Sequence, residues 1–311
     1  MTTAAFNYID LASVPAGTKP WSKVDAAEAA SFKLAPHTRA VTDLRGHESE
    51  FNTDNAGFAV LRSPPPPQTD FASDASVRGP YYASVEGLLR AHLPATEGRR
   101  VRRVVIFDHT IRQRAPDAAR PPVQQVHVDQ SSAAAAARVR RHLPEAEAAE
   151  LLRGRFQIVN VWRPVAYPAS DFPLAVVDWR TTSPADFVPV DLLYPRRRPR
   201  TDSGVDVDDD DRGKETRAPE STWSSTEGYE VRGETMSVAP SERHRFYYAK
   251  DMTPDEVLLL KCYDSWGEGE EPHGRAGLAV RTPHTAFVDP ATPEDAPPRQ
   301  SIEVRCLVFY E

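Results

Sequence analysis

The stretch Val123-Gln-Gln-Val-His127-Val128-Asp129 is the one on which the fold turns. Its β-branched residues, and the Pro121-Pro122 break before it, predict a strand over Val123 to Asp129. Side chains along a strand alternate between faces, so His127 and Asp129 emerge on one side while Val128 points to the other. An imidazole and a carboxylate placed this way, completed by a second imidazole from elsewhere in the chain, make the facial triad of non-haem Fe(II) sites, which leaves coordination positions open. A buried, hydrogen-bonded His-Asp pair is the plain structural alternative.

Working outward, the pattern is mostly β. Val101 to His109 predicts the strand before this one, and Tyr81 to His92 an amphipathic helix with Val85, Leu88 and Leu89 at helical spacing. On the other side, Ser131 to His142 reads as an Ala-rich helix, and Pro144 opens another that runs to Leu152 and stops at Gly154. Strands are expected over Phe156 to Trp162, Leu174 to Trp179, Phe187 to Leu193, Arg245 to Ala249, Val257 to Tyr263, Gly277 to Arg281 and Ser301 to Tyr310. Strands in that number, with few helices and no βαβ alternation, point to a mainly β fold with flanking helices, an antiparallel jelly roll or barrel.

The whole chain, 1–311, reads as a single domain. Its formal net charge of -7 argues against a nucleic-acid partner. No apolar run of about 18 residues is present to cross a membrane. Met1 to Ala16 lacks the basic-then-apolar order of a secretion signal, and the expected location is cytoplasmic. Cys262 and Cys306 sit in apolar strand-like runs and read as buried thiols. Residues 195–227 form a low-complexity charged insertion, basic over Arg196 to Arg200 and acidic over Asp206 to Asp211, expected to be a mobile surface loop. The Pro-rich stretch from Ser63 to Pro67 reads as a stiff connector.

For the third ligand, His284 stands out because it follows the apolar segment Gly277 to Val280 and precedes an Arg-x-Ser strand. His273 and His244 are the competing candidates. An oxygenase that uses 2-oxoglutarate needs a fixed cation for the far carboxylate, and Arg supplies a permanently charged fork. Arg299, with the Ser301 hydroxyl on the same strand face, is the first candidate. Arg305 shares that face and is the alternative, although Glu303 is a same-face partner that would neutralise it.

Several ordered motifs carry a resemblance. His127-Val-Asp129-Gln-Ser, Ile158-Val-Asn160-Val-Trp162-Arg163-Pro164, Tyr247-Tyr248-Ala-Lys-Asp251, Lys261-Cys-Tyr-Asp264-Ser265, His284-Thr-Ala-Phe287 and Arg299-Gln-Ser-Ile-Glu303-Val-Arg305 resemble the fungal hydroxylase/desaturase family typified by AsaB. Asp43-Leu-Arg45-Gly46, Gly57-Phe58 and Phe107-Asp108-His109-Thr-Ile-Arg112 extend the likeness nearly end to end, and the 195–227 insertion departs from it. The resemblance implies a cupin-like double-stranded β-helix that uses Fe(II), 2-oxoglutarate and O2 to oxidise a small secondary metabolite. In that setting Trp162 is a candidate wall of the substrate pocket, Asn160 shares its face, and Arg163 is a candidate for a substrate carboxylate. His109 reads as support behind the metal ligands, and Lys261 and Asp264 have no assigned role. Two other classes fit the same residues: a jelly-roll isomerase, lyase or hydrolase holding zinc or manganese, and a noncatalytic binding protein.

Overall fold

A computed structural model describes residues 1–26, 29–94, 98–115, 118, 120–196, 219–267 and 275–311. Two β-sheets face each other. The larger has nine strands in the order β1-β3-β11-β8-β13-β6-β10-β9-β2, and the smaller five in the order β4-β12-β7-β14-β5. The larger contains β1 (Thr2–Asp10), β2 (Trp21–Lys23), β3 (Lys33–Asp43), β6 (His127–Val128), β8 (Leu174–Val177), β9 (Phe187–Pro195), β10 (Tyr229–Val238), β11 (Phe246–Tyr248) and β13 (His284–Ala286). The smaller contains β4 (Phe58–Arg62), β5 (Val101–Gln113), β7 (Phe156–Pro164), β12 (Glu256–Asp264) and β14 (Gln300–Tyr310). Nearly all pairings are antiparallel, as in a jelly roll.

The three central strands of the smaller sheet, β7, β12 and β14, are buried on both faces, which explains why they read as apolar runs. On β14, Ile302, Val304, Cys306, Val308 and Tyr310 join one core cluster with Val85, Leu88 and Leu89 of helix α2 (Tyr82–His92). A short turn α1 (Asp74–Ser76) and a π-helical turn lead into α2. Helices α3 (Ser132–His142) and α4 (Glu145–Leu151) cover Phe107, Phe156, Leu307 and Phe309 through Ala135, Val139, Ala148 and Leu151. Ser131 caps α3 by accepting the Ala134 N–H at 3.2 Å.

The expected strands are mostly present, with shifted ends. Val123 to Asp129 is a strand only at His127–Val128, and Gly277 to Arg281 is not a strand, since Gly277 sits in a turn with φ +83 and the ladder begins at His284. Strands β1, β2, β3, β4 and β10 have no counterpart in the sequence expectation. Charged and small residues dilute the alternation in β3 and β10, whose exposed faces tolerate them.

The charged insertion joins β9 to β10, which pair from Tyr229 and Pro195 inward. Most of it, with the Arg197 to Arg200 and Asp206 to Asp211 runs, lies outside the described residues. Its last part is a loop up to 227, as expected, but one tied to the fold rather than free of it. Trp223 packs on Ala26 and Ala29, and Lys23 Nζ donates to the Thr222 carbonyl at 2.7 Å.

Candidate active site

His127 and His284 are direct cross-strand partners of β6 and β13 in the larger sheet. Val128 turns the other way into a core cluster with Val126 and Phe287, so strand alternation delivers His127 and Asp129 to the space between the sheets. Both imidazoles are oriented by backbone. His127 Nδ1 lies 2.7 Å from the Gln125 carbonyl oxygen, and His284 Nδ1 lies 3.0 Å from that of Thr282. A carbonyl oxygen only accepts, so each Nδ1 carries the proton and each Nε2 keeps its lone pair. Asp129 Oδ1 is 3.5 Å from His127 Nε2. The ligand atoms of His127, Asp129 and His284 all lie within 4.8 Å of one another.

The residues fit a divalent metal in the donor set and in their charges. Burial lowers the His284 imidazole to about 4, helped by His127 beside it. Asp129 is held well below the usual carboxylate range: burial works against ionisation, and the hydrogen bond with His127 and the nearby imidazoles outweigh it. For His127 burial also opposes the charged form, but Asp129 raises it. A metal ion between His127 Nε2 and Asp129 would supply the positive charge that Asp129 otherwise draws from a second proton on that imidazole. Asn160 Nδ2 donates to Asp129 Oδ2 at 2.6 Å, leaving Oδ1 toward the imidazoles.

A small cavity opens from the triad, lined by Trp162, Leu174, Val123 and Ala286 along with Arg112, Arg299 and Glu303. Arg299 comes from just before β14 in the smaller sheet and is 3% exposed. Its Nη1 donates to the Phe172 carbonyl, and its guanidinium lies 5.3 Å over the Trp162 ring. Burial and the charge of Arg112 push it down to about 9. Both its Nε and the buried Ser301 Oγ lack hydrogen-bond partners.

Not every sequence candidate is at the cavity. Arg305 is bound by Asp108 through Nε and donates to Thr110 Oγ1 at 2.8 Å, so the β5 strand neutralises it and Glu303 is not its hydrogen-bond partner. Arg163 is on the opposite face of β7 from Trp162. It lies 5.1 Å over the Tyr81 ring and donates to the Pro254 carbonyl, which removes it from the substrate side. Asn160 does share the Trp162 face, but its amide holds Asp129. His109 meets the Tyr82 hydroxyl at 2.9 Å on the helix side, away from the ligands. His244 is a core residue between Tyr8 and Asp186, and His273 lies outside the described residues. Lys261 and Asp264 form a buried ion cluster with Arg155 and Asp54. Arg112 and Glu303 are the cavity groups to which the sequence assigned no such role; strand parity placed Glu303 on the Arg299 face, and Arg112 closes a motif on β5.

Fold and site together define a jelly-roll protein with a His-Asp-His triad facing a cation-lined cavity. The chain belongs to the fungal hydroxylase/desaturase family, a family of oxidoreductases. A family model described as "Oxidoreductase/YMDC permease-like domain" matches residues 6–309. The hydroxylase/desaturase PoxK of Penicillium oxalicum is 33% identical over 284 residues, covering 89% of this chain and 80% of that protein. The Fe(II)/2-oxoglutarate-dependent dioxygenase NvfI of Aspergillus novofumigatus is 32% identical over 286 residues, covering 90% and 86%. AsaB of Aspergillus flavus is 36% identical over 165 residues, 53% of this chain and 60% of that one. A solved structure of the iron and alpha-ketoglutarate-dependent endoperoxidase NvfI matches with TM-score 0.75 and 28% identity, over 99% of this chain and 98% of that one. No described helix is long and apolar enough to cross a membrane.

Proposed function

We propose that this chain is an Fe(II)- and 2-oxoglutarate-dependent dioxygenase that oxidises a C–H bond of a small molecule in fungal secondary metabolism, by hydroxylation, desaturation or ring closure. The observation that carries the reading is the convergence of His127, Asp129 and His284 on a cavity whose other wall holds Arg299. His127 Nε2, His284 Nε2 and Asp129 Oδ1 would hold the metal, and Arg299 with Ser301 would hold the far carboxylate of 2-oxoglutarate. Bound Fe(II), with 2-oxoglutarate and O2, supplies the oxidising power for C–H cleavage.

The chain's own part is placement. The two Nδ1–H donations to carbonyls aim the imidazoles, and Asn160 keeps Asp129 on one oxygen. Trp162 backs the Arg299 guanidinium and presents an apolar wall with Leu174, Val123 and Ala286, which suits the hydrocarbon part of a small substrate. The acidic balance and two buried free thiols accord with a cytosolic enzyme that engages neither nucleic acid nor membrane.

The test is succinate release from purified protein supplied with Fe(II), ascorbate and 2-oxoglutarate, against a panel of peptides, terpenoids and polyketides. His127→Ala, Asp129→Ala and His284→Ala are each expected to abolish iron-dependent turnover with an unchanged circular dichroism spectrum. Near-native turnover in any of the three sinks the triad. Metal-dependent turnover of a substrate without consumption of 2-oxoglutarate would move the protein to the isomerase, lyase or hydrolase class.

A further inference from the structure

The cavity contains a second cation that the site described so far does not employ. Arg112, near the end of β5, lines it beside Arg299 and Glu303. Its Nη1 donates to the Pro121 carbonyl at 3.1 Å, and among the described residues it has no ion-pair partner. The β5–β14 register sets Arg112 opposite Ser301, two residues after Arg299. Ser301 Oγ and Arg299 Nε are among the buried side-chain atoms without partners, so two arginines that line the cavity stand beside a hydroxyl with capacity to spare, next to Arg112 in the ladder. Two guanidiniums facing one enclosed space repel each other. Burial and then Arg112 depress Arg299, and burial depresses Arg112 as well, against the attraction of Glu303. A shared anion relieves that arrangement.

We propose that Arg112 and Arg299, with Ser301 opposite Arg112 in the ladder, form a two-arginine clamp on the far carboxylate of 2-oxoglutarate; this rests on the oxygenase reading above. Charge balance supports it. With Glu303 ionised, one dicarboxylate dianion offsets a divalent metal, Asp129, Glu303 and both arginines together. With Arg299 alone, the filled cavity would keep an uncompensated negative charge, which a low-dielectric interior penalises. The clamp makes the length and charge of the keto acid, rather than its keto end, the feature that β5 reads.

Anaerobic calorimetry on the Mn(II)-loaded protein tests this with two probes: 2-oxoglutarate, and 2-oxobutyrate, which has the same keto-acid end and no far carboxylate. Arg112→Leu is expected to weaken 2-oxoglutarate by at least about tenfold, and to leave 2-oxobutyrate within about twofold. Arg112→Lys, which keeps the charge, should recover part of the loss, and Mn(II) affinity should stay at the wild-type value in both variants. Equal weakening of both probes, or unchanged 2-oxoglutarate affinity in Arg112→Leu, overturns the clamp. A wild-type protein that binds the two probes alike would overturn the oxygenase reading itself, and the clamp with it.

Discussion

Asn160 occupies one lone pair of Asp129 and nothing in the cavity, so its removal should be felt by the metal first. Asn160→Ala is expected to lower metal affinity about 10- to 100-fold, the usual cost of losing a partner behind a ligand, measured by Co(II) titration. A second device stands behind His284. Thr282 accepts its Nδ1–H through the carbonyl and donates its own hydroxyl to the Gly57 carbonyl. Gly57 has φ +91, and a Cβ there would lie 2.5 Å from Thr282 Oγ1. Gly57→Ala should therefore lower stability by about 1–3 kcal/mol and weaken the metal site, read by urea unfolding and Co(II) titration. Outside the site, burial lowers His244 against the pull of Asp186, with Tyr8, Arg39 and Arg243 close by. The native imidazole is neutral, donating to Asp186 and accepting from Tyr8. The unfolded chain takes up its proton below about pH 6.5, so this residue's contribution falls as pH drops through that value toward its lower native one. Urea unfolding at pH 7.5 and 5.5 should show a smaller difference for His244→Gln than for wild type.

At the scale of the strand, β14 shows how far parity reaches. It correctly put Arg299, Ser301, Glu303 and Arg305 on one face, but a single strand cannot say what its neighbours bring. Asp108, opposite Arg305 on β5, decides that Arg305 is bound within the wall. Arg305→Ala should destabilise the protein by about 3–5 kcal/mol, because it leaves Asp108 buried and unpaired, whereas the double change with Asp108→Ala should recover much of the loss. The same limit explains Arg163 and Asn160. Parity separates them, and only the helix on one side and Asp129 on the other give them their work. The HxD pair, the helices α2 and α3 and the long apolar strands were legible from local pattern. Strands β3 and β10, and the brevity of β6, were not, since ladder pairing rather than propensity holds them. The insertion is a mixed case: deleting 201–217 should shift the melting temperature by only a few degrees, as its composition has little to bury, whereas extending the cut through Trp223 should cost clearly more.

For the molecule as a whole, the two sheets divide the labour. All three candidate metal ligands belong to the nine-stranded sheet or the residue next to it, while Arg112, Trp162, Arg299 and Ser301 belong to the five-stranded sheet or its margin. A ligand that touches both ends of the cavity therefore ties one sheet to the other. Metal and 2-oxoglutarate together are expected to raise the melting temperature by more than the sum of their separate effects, measured with Mn(II) under nitrogen. Additive shifts would mean that the two ends of the cavity do not share one ligand.

The carbonyls that orient His127 and His284 carry a consequence for how such proteins diversify. Every residue type brings a main-chain oxygen, so Gln125 and Thr282 keep those two bonds through most substitutions of their own side chains. The aim of the imidazoles thereby rests on the course of the main chain, which Gly57 helps to hold behind Thr282, and not on the side chains that line the cavity. Drift in the cavity wall can alter what is admitted without dismantling the metal site, and a lineage built this way can trade substrates while its chemistry stays put.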